Sequence, residues 1–229
     1  MTFRSLVLFD IDGTLVRRAG PHHREALVEG VRRVTGLETT TEGIPVQGML
    51  DPDILRIMME RAGASPESIR QAMPDIVRTA ESWYERMCPV LRGKHCPGVV
   101  AVLNRLELDG VLLGLVTGNL TRIGWRKLGR AGLGRYFRLG AFGEMASTRA
   151  GLAKLAIREA VGRRWVSPRA PMSLVGDSPA DVEAARRNRI RAVAVATGLT
   201  PLADLRAARP DILLRDLRAL RLDSVDGTL

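Results

Sequence analysis

Four consecutive apolar residues, Leu6-Val7-Leu8-Phe9, run straight into Asp10-Ile11-Asp12-Gly13-Thr14-Leu15. This junction restricts the fold more than any other stretch of the chain. A short apolar run with β-branched and aromatic members that stops at two carboxylates reads as a buried strand delivering charge to its carboxyl end. Open α/β sheets bind their ligands at that end. Side chains at i and i+2 of an extended segment point the same way, so Asp10 and Asp12 can converge on one atom while Gly13 permits a sharp turn. A hairpin closed by Asp12-Gly13 is the competing reading. It lacks an alternating second strand after Thr14.

The chain has 229 residues, enough for a full core in one large domain or in a domain carrying an insertion. Its apolar runs are strand-sized and fall short of the roughly 20 residues that cross a bilayer. Asp10 and Asp12 interrupt the N-terminal run, so the pattern predicts neither signal peptide nor anchor, and hence a cytoplasmic protein with no membrane partner. Cys88 and Cys96 offer no disulfide framework, and with His95 they leave a tetrahedral zinc site one ligand short. A formal net charge of +10 attracts phosphate backbones in principle. Against nucleic acid as a partner, the basic residues are scattered and nearly all arginine, Lys94, Lys127 and Lys154 excepted. Aromatic residues make up only 4% of the chain, without the interleaving of single-strand binders. Arg186, Arg187, Arg189 and Arg191 read as solvated helix and loop faces.

After the first strand the periodicity turns helical for about eighty residues. Pro21 opens a helix carrying Leu27, Val28 and Val31, which Gly36 can end. Asp51-Pro52 caps a second with Ile54, Leu55, Ile57 and Met58, and Ser65-Pro66-Glu67 starts a third. Pro74 is expected to break that helix and begin a fourth through Trp83 and Tyr84. From Pro97 onward strand and helix signals alternate. Strands are expected at Val111 to Val116, near Leu139 to Phe142, Met172 to Val175, Ala192 to Val195 and Ile212 to Leu214, with helices through Val99 to Leu106 and near 120–131, 150–162 and 179–188. The fold class is therefore α/β, a doubly wound parallel sheet of Rossmann-like form with an inserted all-helical subdomain. The core is expected over 1–16 and 96–229 and the helical insert over 17–95, with the tail after Asp216 peripheral.

Two further strand ends are polar. Val116 precedes Thr117-Gly118-Asn119 and a helix, placing a hydroxyl and unpaired backbone N–H groups where a phosphate can sit. Val175 precedes Gly176-Asp177-Ser178-Pro179-Ala180-Asp181 and another helix. An N-cap and a first-turn acid would account for those two carboxylates alone. Together Asp10, Asp12, Asp177 and Asp181 crowd one crevice with negative charge, which calls for a cation. Hard oxygen donors at an open site favour Mg2+.

Taken in order, Asp10-Ile11-Asp12-Gly13-Thr14-Leu15, Thr117-Gly118-Asn119 and Gly176-Asp177-Ser178-Pro179-Ala180-Asp181 resemble the motif series of the haloacid dehalogenase superfamily. Within it the chain is most similar to phosphoglycolate phosphatase-like hydrolases, whose helical cap follows the first motif. The resemblance runs from Leu6 to about Leu220. It implies a phosphatase acting on a small phosphorylated metabolite, with Asp10 as the nucleophile that becomes an aspartyl-phosphate and Asp12 as general acid and base. Thr117 and the amide of Gly118 or Asn119 would hold phosphate oxygens. Mg2+ would take Asp10, the backbone carbonyl of Asp12, and Asp177, with Asp181 orienting the cluster. The presence of Asp12 argues against the dehalogenase branch.

The sequence departs from this pattern in two places. Where relatives carry a lysine between the second and third motifs, this chain offers Arg149 at the expected distance, with Lys154 as the competing candidate; arginine's forked donor can clamp phosphate. Asn188-Arg189 stands where a small residue and glycine are usual, and Asn tolerates the left-handed conformation a helix end wants. Cap residues that could face the site are Arg17, Arg18, His22, His23, Arg24 and the loop Gln47-Gly48-Met49-Leu50. Apolar Met49 and Leu50 speak against phosphoglycolate itself, and the lack of an entrance lysine speaks against phosphonate cleavage. The alternatives are a phosphomutase of the same superfamily and a non-catalytic, basic nucleic-acid-binding module on the same scaffold.

Overall fold

A computed structural model describes residues 2–221. Six strands, β1 (Ser5–Phe9), β2 (Val111–Val116), β3 (Leu139–Ala141), β4 (Met172–Gly176), β5 (Arg191–Val195) and β6 (Ile212–Leu214), form one sheet in the order β3-β2-β1-β4-β5-β6. Every pairing is parallel. Strand β1 lies at the centre, and alternate residues serve opposite faces: Val7 and Phe9 enter one core, Leu6 and Leu8 the other. Burial on both sides is why the run is continuously apolar.

Helices α4 (Val99–Leu108) and α5 (Thr121–Ala131) cover the first face through Val102, Leu106, Ile123 and Leu128. Helices α6 (Arg149–Gly162), α7 (Pro179–Arg187) and α8 (Leu202–Ala207) cover the second through Leu152, Ala156, Val182 and Leu205. Between β1 and α4 the chain forms the helical insert: α1 (His22–Thr35), α2 (Asp51–Arg61) and α3 (Pro66–Met87). The two connections to it run side by side, with Arg17 N–H donating to the Lys94 carbonyl at 2.8 Å and Cys96 N–H to the Leu15 carbonyl at 3.0 Å.

Four local expectations are corrected. Pro74 does not break its helix, because α3 is continuous over 22 residues. Pro74 lies on the exposed side, where water can serve the carbonyl it leaves without a partner, while Ile69, Ile76, Ala80 and Tyr84 carry a buried stripe past it. Asp51 does not cap α2; Leu50 occupies that position, and the Asp51 carboxylate accepts from Leu120 N–H at 2.8 Å instead. The left-handed residue after α7 is Arg189, at φ 55°, rather than Asn188, whose amide donates to the carbonyls of Ala150 and Ala184. The tail after Asp216 is not wholly peripheral, since Leu217 and Leu220 are buried in the first core; residues 222–229 lie outside the described residues.

Candidate active site

Strand register brings the three motifs together. Phe9 is level with Leu115 on one side and Val175 on the other, so the chain leaves adjacent strands at Asp10, Thr117 and Asp177. A pocket of about 410 Å³ opens over these ends, walled by the core and by the cap loop Val46 to Met49. Asp10, Asp12, Gly118, Asn119, Arg149 and Asp177 line it. Thr117 and Asp181 are buried immediately beneath.

Two glycines make this crowding possible. Gly13 holds φ at 82°, and a Cβ there would overlap the Asp177 carboxylate. At Gly118 a Cβ would overlap the Met49 carbonyl oxygen, and the Gly118 carbonyl accepts from Asp51 N–H at 2.8 Å. The cap thus docks on the second motif backbone to backbone.

Asp10 is 5% exposed, and its Oδ1 has no hydrogen-bond partner among the described residues, with the Arg149 guanidinium 3.1 Å away. Arg149 Nη1 donates to Asp181 Oδ1 at 2.6 Å. Asp181 Oδ2 accepts from the hydroxyl of Ser178 at 2.6 Å and its N–H at 3.1 Å, closing a capping box at the start of α7. Lys154, the alternative to Arg149, is exposed along α6.

Burial, together with the neighbouring Asp181 and Asp12, pushes the Asp10 carboxyl up to about 6 against the pull of Arg149. Burial, followed by repulsion from Asp10 and Asp181, pushes Asp177 up to about 8. Asp12 moves the other way: burial opposes its charge, but Lys127, with hydrogen bonds from Lys127 and Asn119, outweighs it and holds the carboxyl below its usual range. Arg149 stays charged despite burial because Asp181 and Asp10 flank it.

One oxygen from each of Asp10, Asp177 and Asp181 falls within 4.8 Å of the others, a group able to hold a divalent cation. The donor chemistry fits. Asp181 spends both oxygens on Arg149 and Ser178, whereas among the described residues Asp10 Oδ1 takes no hydrogen bond beyond its ion pair with Arg149, and Asp177 has a long contact from the Thr14 hydroxyl at 3.5 Å. Asp10 and Asp177 are therefore the available ligands, with Asp181 fixing Arg149 beside them. Arg149 is the one cation within ion-pair reach of Asp10 and Asp181, which leaves Asp177 without a cationic partner among the described residues.

A stability experiment follows from these shifts. Asp10 and Asp177 have folded-state values above their ordinary 3.8, so they favour the folded state below about pH 4 and cease to do so as pH rises through about 6 and about 8. A cation binding the ionised pair restores that loss. At about 100 times its Kd it adds about 2.7 kcal/mol, roughly 5–10 °C in Tm for a chain of this size. Calorimetry with MgCl2 against EDTA is expected to show that increment at pH 8 and a much smaller one at pH 5. An equal increment at both would mean that the ion binds elsewhere.

Of the cap residues named from the sequence, Arg17, Arg18, His23, Arg24, Gln47, Gly48 and Met49 line the pocket, whereas Leu50 turns into the second core and His22 does not reach it. From the sequence Lys127 stood only among the scattered basic residues, with no place in the site. It sits on α5, four residues from both Ile123 and Ala131 on the buried stripe, and is 1% exposed. A lysine on an apolar helical face was the available signal.

A model of the haloacid dehalogenase-like hydrolase family matches residues 5–188. The phosphoglycolate phosphatase of Pseudomonas savastanoi pv. phaseolicola (strain 1448A / Race 6) is 29% identical over 224 residues, covering 94% of this chain and 78% of the relative. A crystal structure of a predicted phosphoglycolate phosphatase from Haemophilus somnus 129PT superposes with a TM-score of 0.68 at 20% identity, covering 95% and 96% of the two chains. The β-phosphoglucomutase of Clostridium difficile does so with a TM-score of 0.70 at 16% identity, covering 97% and 95%. These two structures agree in fold with the chain. No helix among the described residues is long and apolar enough to cross a membrane.

Proposed function

Because this chain belongs to the haloacid dehalogenase-like hydrolases, we propose that it is a magnesium-dependent phosphatase of small phosphorylated metabolites. The observation that carries this reading is Asp10 Oδ1, a buried carboxylate oxygen that takes no hydrogen bond among the described residues, lining the pocket beside Arg149 and Asp12.

An Asp10 oxygen attacks phosphorus as the bond to the ester oxygen breaks; Asp12, ionised in the free protein, takes up a proton as the phosphoryl dianion enters beside it and gives that proton to the departing oxygen. Asp12 then takes a proton from water as that water attacks the aspartyl-phosphate, and inorganic phosphate leaves with Asp10 regenerated. Arg149 holds Asp10 in place and can donate to a phosphoryl oxygen; Thr117, Gly118 and Asn119 supply further donors. Asp10, the Asp12 backbone carbonyl and Asp177 would hold Mg2+, which offsets charge on the transferring phosphoryl group. The cap loop over the pocket excludes water from the first step. Domain limits of 1–16 with 96–229 for the core and 17–95 for the cap suit this division of labour.

Arg17, Arg18 and Arg24 line the pocket without a carboxylate in ion-pair reach among the described residues, which suits a substrate with a second anionic group such as a carboxylate. The test is phosphate release from phosphoglycolate, sugar phosphates, nucleotides, pyrophosphate and p-nitrophenyl phosphate, with MgCl2 and with EDTA. Release is expected only with Mg2+, at the lowest KM for phosphocarboxylates; of the two apolar residues that speak against phosphoglycolate in the sequence, Leu50 faces the second core and Met49 alone lines the pocket. Isomerised sugar phosphate in place of free phosphate would assign a mutase, and no turnover on any ester would end the reading.

A further inference from the structure

We propose that Lys127 is a positioning residue for Asp12, held in place from the cap by His23 and Asp51. The inference rests on the reading of Asp12 as general acid and base.

An ammonium buried to 1% exposure is costly unless every donor finds an acceptor. Lys127 Nζ finds three: Asp12 Oδ2 at 2.5 Å, Asn119 Oδ1 at 2.6 Å and His23 Nδ1 at 3.1 Å. An ammonium has three N–H bonds, so none is left for a substrate phosphate.

Each partner is fixed in turn. Asn119 must present its oxygen to Lys127, and its Nδ2 donates to Asp12 Oδ2 and Thr117 Oγ1, both at 2.8 Å. Its side chain is therefore a strut between the first two motifs, which leaves phosphate binding to its backbone. Asp12 Oδ2 receives Lys127 and Asn119 together, so Oδ1 is the oxygen left to meet a substrate. His23 Nδ1 must accept, so Nε2 carries the proton and donates to Asp51 Oδ2 at 2.8 Å. The same Asp51 oxygen accepts from Leu120 N–H at the start of α5, the helix that carries Lys127.

The chain Asp51–His23–Lys127–Asp12 thus begins in the cap and ends on the proposed acid and base. His23 belongs to α1 and Asp51 to α2, while Lys127, Asn119 and Asp12 belong to the core. Lys127 has its third acceptor, His23, only while the cap sits on the second motif.

The test uses the full chain with Mg2+ and two substrates, phosphoglycolate and p-nitrophenyl phosphate. Nitrophenolate leaves without a proton, so the first turnover on the aryl ester does not need Asp12, whereas the alkyl ester and the second, hydrolytic step do. Lys127→Met is expected to lower kcat on phosphoglycolate by about 10²–10³-fold, within the range of general acid–base catalysis, with KM little changed. On p-nitrophenyl phosphate it should keep the nitrophenolate burst and slow the steady state. His23→Phe keeps the ring volume and its edge contact with Tyr84 but loses the acceptor. It should show the same pattern with about a 10-fold effect, and it serves where Lys127→Met does not fold. A raised KM with unchanged kcat would make Lys127 a phosphate ligand and overturn the proposal, as would equal loss of burst and steady state or no change in either variant. Asp12→Asn separates the two readings: if it turns over normally the function assigned to Asp12 fails, and if it is inactive while Lys127→Met is not, only the positioning role fails.

Discussion

Asp10→Asn is expected to remove magnesium-dependent phosphate release by at least about 10⁴-fold, the scale seen when a covalent nucleophile is deleted, without weakening the fold. The amide keeps the shape of the carboxyl but has no charge with which to attack phosphorus. Stability should move in the opposite direction. In the metal-free protein Asp10 is raised to about 6 by burial and by Asp181 and Asp12, so at pH 7.5, above both its folded and unfolded values, its ionisation disfavours the folded state. The variant in EDTA is therefore expected to melt at or above the wild-type temperature while having no turnover. Gain of stability with loss of activity distinguishes a residue kept for chemistry from one kept for packing. A variant that retains a tenth of the activity would remove the covalent step.

Parts of this site stood out in the sequence because each is a local pattern with a local cause. An apolar run that ends at Asp10, Thr117 or Asp177 and is followed by a glycine or a capping residue marks a strand end wherever it occurs, and parallel pairing then sets the three ends side by side. Arg149 was found only through the family resemblance, as the residue standing where relatives carry a lysine; it opens α6, whose N-cap is Thr148. His23 was readable as a cap residue facing the pocket, but its link to Lys127 and Asp51 was not, because that meaning lies in contacts across 28 to 115 positions of sequence. Local rules also misplace Asp51. Asp before Pro reads as a helix cap, yet its carboxylate serves the N-terminus of α5 instead. The expected break at Pro74 failed on energetics: an interior proline costs about 3 kcal/mol, and burial of Ile76, Ala80 and Tyr84 against α1 is large enough to offset it.

Arg149→Ala should produce the largest loss of stability of any substitution at the site. The guanidinium is nine-tenths buried and lies 2.6 Å from Asp181 and 3.1 Å from Asp10, so its removal strands two buried carboxylates. Breaking a buried ion pair from one side costs about 3–5 kcal/mol, equivalent to roughly 6–20 °C in Tm for a chain of this size. The loss must depend on pH. With Arg149 gone, the carboxyl values rise further, so protonation relieves the repulsion, and the deficit should shrink from pH 8 to pH 5. Mg2+ should restore part of it at pH 8, because a cation between Asp10 and Asp177 replaces some of the missing charge. Arg149→Lys is expected to fall between: a single ammonium on a shorter stem cannot serve both carboxylates with the geometry of a fork. Melting curves for the three proteins at the two pH values, with and without Mg2+, decide the matter. A deficit that is the same at pH 5 and pH 8 would mean that Arg149 acts by filling space, and that the acidic cluster is balanced by something other than this side chain.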